Sequence, residues 1–405
     1  MTLEIKRRSL VMGAGAAVGL SMLLTTTALA AEPIKIGVVS HLTGPLAGGE
    51  AVTHTPNIEL WAKQVNDRGG LKVDGGQRPV EIITYDDKTD PAEHIKAVQR
   101  LATQDKVDFM LSPYGTGFNI AAAPIYAKYE YPLIAVSAIT DKIPELSKRF
   151  PNMFFTLGTT TGFVEGVRDT LVKMRDDGTI GNKIAMVNVA DAFGIELADK
   201  ARPILSEAGF EIVYDKSYPL GTPDISPVVK GAKAAEPDAF VAWSYPPDTF
   251  ALTEQAIIEG LDVRAFYTAV ATCFPAYADK FGSKIEGNLG AGGVNPDTPA
   301  MQEYRKAHKE VTGKEADYWA SATYYASLQI LEQAIENVGT IDRAATVDYI
   351  KNNSFDTVIG TVSFDDNNNS ERYWSVGQWR DGVFRAVADT GMGDSVPAVA
   401  KEGWN

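Results

Sequence analysis

Cysteine is almost absent from this sequence, since Cys273 is the only one in 405 residues. A single cysteine cannot form an internal disulfide, and it excludes metal sites built from several cysteines. The sequence also lacks GxSxG, P-loop, CxxC and HExxH patterns, which are common signatures of hydrolases, NTPases, redox proteins and zinc proteases. The histidines show no metal-ligand spacing. We therefore expect a protein that is not an enzyme and holds no cofactor and no metal.

Positive charge is also scarce, because 38 Lys and Arg residues stand against 52 Asp and Glu and give a formal net charge of −14. An acidic chain of this kind disfavours nucleic acid as a partner. Beyond residue 31 no run approaches the ~18 apolar residues that a membrane span requires. No cysteine near residue 31 could carry a lipid. We expect no nucleic acid partner and no direct membrane anchor.

The first 31 residues have the pattern of an export signal. Three basic residues, Lys6, Arg7 and Arg8, precede the apolar run 10–24, and Ala28-Leu29-Ala30 gives a small-x-small cleavage pattern. The paired arginines and the glycine-diluted apolar run resemble a twin-arginine signal. We therefore expect cleavage near Ala30 and a mature protein that is free in the periplasm.

From Ile34 onward, apolar strand-like runs alternate with helical patterns, which is the signature of a parallel sheet covered by helices on both faces. The first series of predicted strands is Ile34–Ser40, Val80–Tyr85, Phe109–Leu111 and Leu133–Val136. The second series is Lys183–Asn188, Glu211–Tyr214, Ala239–Trp243 and Arg264–Tyr267. Two series of similar size predict an α/β protein with two doubly wound lobes. A ligand is then expected between them, at the carboxyl edges of both sheets.

The stretch from Leu111 to Thr140 carries the candidate site, because hydroxyl-bearing residues follow two strands that end at the same edge. The free N–H groups of a helix start near Thr116 and Gly117, together with the hydroxyls of Thr116, Ser137 and Thr140, would bind a small anion such as a carboxylate. The alternative is that these threonines are ordinary cap and turn residues. No side chain in the stretch pairs a nucleophile with a base, so binding is predicted rather than catalysis.

Aromatic residues lie at or near the predicted strand ends that face the cleft: Tyr114, Phe118, Phe193, Trp243, Tyr245 and Phe274. Rings at such positions suit an aromatic or extended apolar ligand, although any one of them could equally belong to the core. Phe193 and Tyr245 are the expected contacts, and Trp243 is expected to be core. His41 and His54 flank the loop after the first strand and could also touch the ligand.

Nine short motifs in order and spacing resemble the exported type I substrate-binding proteins of ABC importers, in the leucine/isoleucine/valine-binding branch. The motifs are Ile34–Val39, Thr43–Pro45, Val65–Gly70, Tyr85–Asp87, Asp90-Pro91, Pro132–Thr140, Asp191–Gly194, Asp356–Gly360 and Phe364–Asn369. The resemblance implies the type I periplasmic binding protein fold, in which two lobes joined by a three-segment hinge close on a ligand. It places the signal peptide at 1–31, lobe 1 at 32–155 and 296–374, and lobe 2 at 156–295 and 375–405.

Carried over position by position, the resemblance puts the ligand's carboxylate on Gly115, Thr116 and Gly117, with Ala138 and Thr140 opposite. It puts a clamping ring at Phe193, where the family more often has Tyr, and a further contact at Tyr245. The full predicted set is Tyr114, Gly115, Thr116, Gly117, Ser137, Ala138, Thr140, Phe193, Tyr245, Asp191, Phe118 and His41.

Amino-acid binders of the family also place an acid after the strand ending at Tyr267, to pair with the ligand's ammonium. Here the stretch Thr268–Phe274 holds no acid, and an unpaired buried ammonium costs several kcal/mol. Asp191 or Glu50 could substitute. The preferred ligand is therefore a carboxylate without an α-amine, such as an aromatic acid, and the alternative is a branched-chain or aromatic amino acid.

The resemblance also implies the partners. A monomer that closes on its ligand would deliver it to an ABC transporter permease and ATPase complex. A ligand-sensing receptor component built on the same lobes is the other function that these motifs allow.

Overall fold

The computed structural model describes residues 32–404. The predicted signal peptide and its cleavage site lie outside the described residues. The strands are β1 Ile34–Ser40, β2 Leu71–Val73, β3 Gly76–Arg78, β4 Val80–Asp86, β5 Phe109–Met110, β6 Leu133–Ala135, β7 Met153–Phe155, β8 Lys183–Val189, β9 Glu211–Tyr218, β10 Ala239–Trp243, β11 Ala265–Thr268, β12 Leu289–Ala291, β13 Phe355–Thr357, β14 Gly360–Val362, β15 Tyr373–Arg380 and β16 Val383–Thr390.

Helices cover both faces of the sheets that these strands form. They are α1 Ala47–Thr53, α2 Thr55–Asp67, α3 Pro91–Arg100, α4 Thr116–Lys128, α5 Ile143–Arg149, α6 Thr160–Asp176, α7 Ala192–Glu207, α8 Ser226–Ala234, α9 Pro246–Glu259, α10 Pro275–Phe281, α11 Pro299–Thr312, α12 Ala320–Val338 and α13 Arg343–Asn352. A π-helical turn, Leu101–Asp105, extends α3. None of the helices between residues 32 and 404 combines the length and the apolar character that crossing a membrane would require.

The first lobe is built on parallel strands in the order β4-β1-β5, with β6 and β7 paired beside them. β1 is buried at six of its seven positions, as expected for a parallel strand covered on both faces. One face of this sheet packs against α2 and α12, in a core that includes Ile36, Trp61 and Leu331. The other face packs against α4 through Met110 and Tyr126. The helices α11 to α13, which come late in the chain, therefore return to the first lobe.

The second lobe is built on a seven-stranded sheet in the order β16-β15-β12-β11-β10-β8-β9. The five strands from β12 to β9 are parallel, and β15 and β16 add an antiparallel edge. The strands β10 and β11 are buried at every position. β15 returns to this sheet after the chain has visited the first lobe, so the two lobes share several connections. The residue boundaries of the lobes remain a prediction.

Several helices begin where the sequence provides a cap. Asp90 accepts hydrogen bonds from the N–H groups of Ala92 and Glu93 at 2.8 Å and 2.9 Å, and Pro91 occupies the first position of α3. Asp191 accepts from the N–H of Gly194 at 2.9 Å and caps α7. The sequence placed the start of that helix at Ile195, so the Asp191 carboxyl is used by a helix that begins three residues earlier.

Candidate functional site

A small cavity lies where loops of both lobes meet at the carboxyl edges of the sheets. It measures ≈ 30 Å³ and is lined by His54, Tyr114, Gly115, Val136, Ser137, Ile139, Leu157, Phe193, Tyr245, Val270, Trp319 and Ala320. Three larger cavities within residues 32–404, of ≈ 190 Å³, ≈ 310 Å³ and ≈ 390 Å³, are each lined by residues of a single lobe. A space of this size has room for about two water molecules, so the lobes are closed in this structure.

The turn before α4 forms one wall of this cavity. Gly115 has φ +92°, a conformation that side chains rarely adopt, and it directly precedes the helix. Its N–H donates to Ser137 Oγ at 2.9 Å, and Thr116 Oγ1 accepts from the N–H of Ile139 at 3.2 Å. The two hydroxyls therefore hold the turn in place. The N–H groups at the start of a helix lack intrahelical acceptors and attract anions. The N–H groups of Thr116 and Gly117 are therefore candidates for binding an anion.

Aromatic rings from both lobes enclose the remaining space. Tyr114 and His54 belong to the first lobe, and their ring centroids are 5.3 Å apart. Phe193 and Tyr245 belong to the second lobe and lie 5.0 Å apart, and Tyr245 is 6.2 Å from Tyr114. Trp319 closes another side. The Tyr114 hydroxyl is buried and has no hydrogen-bond partner in the described chain, so a polar ligand atom could use it.

No carboxylate among residues 32–404 lines this cavity. Asp191 caps α7 and lies beside the Tyr245 phenol, and burial raises the pKa of its carboxyl despite hydrogen bonds that lower it. Glu50 is 1% exposed and lines a different cavity. Both acids that the sequence offered as partners for a ligand ammonium therefore lie outside the cavity lining.

The predicted residues fall into two groups. The cavity brings together five of them: Tyr114, Gly115, Ser137, Phe193 and Tyr245. The other seven do not line it: Thr116, Gly117, Ala138, Thr140, Phe118, Asp191 and His41. A direct contact with ligand stays a prediction for each residue of the set.

Two of the residues outside the lining are occupied by other partners. His41 lies behind the cavity, where Nε2 faces the Tyr114 carbonyl at 3.0 Å, and the Phe118 ring packs against it with centroids 4.4 Å apart. Thr140 Oγ1 donates to both Glu196 oxygens, each at 2.9 Å. In this closed form the Thr140 hydroxyl is therefore turned toward the second lobe rather than toward the cavity.

Glu196 is the centre of a polar contact between the lobes. Besides Thr140, the backbone N–H of Asp141 donates to it at 2.7 Å, and Thr160 Oγ1, from its own lobe, donates at 2.9 Å. The Asp141 carboxylate also pairs with Lys200 Nζ at 2.9 Å. Burial would raise the pKa of Asp141, but hydrogen bonds from Lys200 and Thr161 hold it below its usual value. We call Thr140, Asp141, Glu196 and Lys200 the interlobe latch.

Trp319 and His54 line the cavity but are not in the predicted set, although the position of His54 after the first strand suggested a ligand contact. Trp319 precedes α12, and its N–H donates to Asp317 Oδ1 at 2.7 Å. Asp317 is fully buried and also accepts from the Cys273 thiol, 3.7 Å away, which follows β11 of the second lobe. This contact between lobes fixes Trp319 against the cavity. Only the aromatic character of Trp319 at a helix start could have signalled its role.

Comparisons with known proteins show which family this chain resembles. A family described as periplasmic binding protein matches residues 33–383. Leu/Ile/Val-binding protein homolog 7 of Brucella melitensis is 25% identical over 393 residues, which cover 92% of this chain and 95% of that protein.

Solved structures with a similar fold include two that contain a bound ligand. The branched-chain amino acid transporter substrate binding protein LivJ from Streptococcus pneumoniae, in complex with isoleucine, has a TM-score of 0.76 at 21% identity over 89% of this chain and 99% of that chain. A solute binding protein of an ABC transporter from Rhodopseudomonas palustris BisB5, in complex with 3,4-dihydroxybenzoic acid, has a TM-score of 0.75 at 20% identity over 91% of this chain and 99% of that chain.

Proposed function

The chain belongs to the periplasmic binding protein family, and on that premise we propose that it captures a small apolar or aromatic carboxylate for an ABC importer. The type I fold predicted from the sequence is confirmed by the matched family and the structural neighbours. Family members of this kind bind solutes and do not transform them. We therefore propose binding without turnover.

The observation that carries the ligand class is the composition of the cleft cavity. Gly115 lines the cavity directly before α4, whose first N–H groups we propose as the place for a carboxylate, and the rings of Tyr114, Phe193, Tyr245 and Trp319 line it and offer a place for a flat apolar body. The cavity lining contains no acid to pair with an ammonium. An α-amino acid would leave its ammonium buried without a counter-charge, at a cost of several kcal/mol.

A branched-chain amino acid is the second candidate, because the relative from Brucella melitensis is a Leu/Ile/Val-binding protein homolog. For this ligand an acid outside the present lining would have to reach the ammonium. Asp191 is the nearer candidate by contact, since it adjoins the lining residue Tyr245. Asp191 would then have to give up its bond to the Gly194 N–H at 2.9 Å.

Hinge closure supplies the mechanism. A ligand between Gly115 of the first lobe and Tyr245 of the second touches both lobes and so favours the closed form. The interlobe latch adds contacts that exist only in that form. The closed protein, acting as a monomer in the periplasm after export, would be the species that a membrane permease and its ATPase receive.

A ligand screen tests the proposal. Thermal shifts are measured with benzoate, 4-hydroxybenzoate, leucine and isoleucine, and positive compounds are titrated by calorimetry. Ligand at 100 times its Kd adds about 2.7 kcal/mol of stability, which is readily detected. Stabilisation by the benzoates alone supports the preferred ligand class, and stabilisation by the amino acids alone supports the second candidate. Product found by mass spectrometry after incubation would refute a pure binding role.

A further inference from the structure

Three buried side chains form a hydrogen-bonded row behind the cleft: His94, Asp87 and His41, each with 0% exposure. Asp87 Oδ2 faces His94 Nδ1 at 2.7 Å, and Asp87 Oδ1 faces His41 Nδ1 at 2.6 Å. The N–H of Thr89 also donates to Asp87 Oδ1, at 2.9 Å. Burial would raise the pKa of Asp87, but these donors lower it to about 2. Asp87 is therefore an ionised carboxylate that accepts from both rings.

The two histidines differ in what faces their second nitrogen. His41 Nε2 faces the Tyr114 carbonyl at 3.0 Å, and a carbonyl can only accept. Both His41 nitrogens therefore must carry hydrogen, which makes the ring an imidazolium. His94 Nε2 has no partner within residues 32–404, so a neutral ring satisfies His94. Burial lowers the pKa of both rings. At His41 the hydrogen bond and charge of Asp87, together with the charge of Glu50, outweigh burial and raise the pKa, whereas at His94 the pKa stays below its usual value.

His41 is connected to the anion-binding turn and to the exterior. The carbonyl that it holds belongs to Tyr114, the residue before Gly115, at the turn where α4 presents its first N–H groups. On its other side, His41 and Glu50 line a cavity of ≈ 190 Å³ whose wall also includes the exposed residues Leu42 and Lys314. Protons can therefore reach a ring that is itself fully buried.

We propose that His41 is a positioning residue, held as an imidazolium by Asp87, which fixes the Tyr114–Gly115 turn and adds positive charge behind the site for the ligand's carboxylate. This inference rests on the proposed function and deepens it, because it makes the site selective for anions and sensitive to protons. Carboxylate affinity is then highest while His41 is protonated.

The charged groups around His41 determine the sign of the pH effect. Asp87, which follows β4, bonds to the ring, and Glu50 on α1 acts on the ring through its charge. His54, between α1 and α2, is held neutral by burial and by the charge of His41, which together lower its pKa, and His94 on α3 is 6.4 Å away between centroids. Glu59 and Lys314 line the adjoining cavity. Burial raises the pKa of Glu50 to about 7. As pH rises, His41 loses positive charge and Glu50 gains negative charge. Both changes weaken anion binding, so affinity falls with rising pH.

Nitrogen NMR of the imidazole rings tests the charge state without any ligand. The chain has only 4 histidines, so His41→Gln and His94→Gln variants assign their signals. At neutral pH, His41 is expected to show two protonated nitrogens and His94 one. A neutral His41 ring under these conditions would refute the proposal.

Calorimetry with benzoate, which is ionised from about pH 6 to about pH 9, tests the effect on binding. His41→Gln is expected to bind on the order of tenfold more weakly than wild type near pH 6 and to lose most of the pH dependence. His94→Gln is the matched control. This change also removes an imidazole ring from Asp87, but His94 does not contact Tyr114, so the variant should bind benzoate as wild type does. Glu50→Gln should keep the part of the pH dependence that His41 supplies.

Each alternative outcome has a distinct meaning. If His41→Gln and His94→Gln bind benzoate equally well, with the same pH profile, the positioning role is wrong while the proposed function stands. If wild type binds neither benzoate nor any other carboxylate, the proposed function fails, and the role of His41 in anion binding fails with it. Melting curves of both variants show whether either change has unfolded the protein.

Discussion

Replacing Glu196 by alanine should shift the protein toward its open form. Two of the donors to Glu196, the Thr140 hydroxyl and the Asp141 N–H, come from the opposite lobe. Hydrogen bonds to charged groups contribute about 1.5–3 kcal/mol each. Because Glu196 is only partly buried and regains water on opening, the lower value applies, giving about 3 kcal/mol for the pair. This corresponds to a closing equilibrium on the order of 100-fold less favourable.

Ligand affinity and scattering measure this shift. A ligand that binds the closed form loses apparent affinity in proportion to the lost closed population. Calorimetry with the compound that gives the largest thermal shift should therefore show Glu196→Ala binding up to about 100-fold more weakly. Small-angle scattering of the same variant at saturating ligand should still reach the compact profile of the wild type.

A matched control separates closure from a general loss of stability. Thr160→Val removes a bond to the same carboxylate, but Thr160 and Glu196 belong to the same lobe. This variant should keep wild-type affinity. Equal affinity of Glu196→Ala and wild type would show that the latch does not contribute to closure and would refute the reasoning.

Three further outcomes follow from single residues. Gly115→Ala should destabilise the protein by about 1–3 kcal/mol, because φ +92° with ψ 140° is almost restricted to glycine. Chemical denaturation measures the loss, and an unchanged midpoint would show that alanine is not strained at this position. Tyr114→Phe should leave stability unchanged or raise it by up to about 1 kcal/mol, since the hydroxyl has no hydrogen-bond partner within residues 32–404. Calorimetry should show weaker binding of a ligand that bonds to this hydroxyl, and a marked loss of stability would reveal a partner within the protein. Glu50→Gln should stabilise the protein at alkaline pH by at most about 3 kcal/mol, because burial raises the pKa of Glu50 from 4.5 to about 7. The free-energy cost of ionising Glu50 in the folded protein is absent below its pKa in the unfolded chain and complete above about pH 7. Melting curves of wild type and variant should therefore coincide near pH 4, and an equal difference at both pH values would refute the assignment.

The sequence predicted the buried parallel strands well because their apolar runs are continuous. The predicted bounds of Ile34–Ser40 and Ala239–Trp243 agree with those of β1 and β10. It did not predict β16, which lies at the sheet edge and has only two buried residues, Phe384 and Ala386, among partly exposed ones. It also missed α1, where Gly48 and Gly49 disfavour a helix that is stabilised by its packing.

In the candidate site as well, features set by neighbouring residues were predictable and features set by distant contacts were not. The turn at Gly115 was predictable because a strand, a glycine and a helix start adjoin in sequence. Trp319 was not, since it reaches the cavity from more than 200 residues away through the contact of Asp317 with Cys273. The bond of Thr140 to Glu196 likewise depends on how the lobes close, and nothing in the sequence near Thr140 specifies that partner.

Cys273 has a practical consequence. Its thiol is fully buried against Asp317 where the two lobes meet, and burial raises its pKa, so it is unreactive in the closed protein. We expect alkylating reagents to reach it when the lobes separate, because the contact with Asp317 that covers it joins the two lobes. The rate of its modification would then report how often the lobes open, with no engineered label, and protection by an added compound would show that the compound favours the closed form.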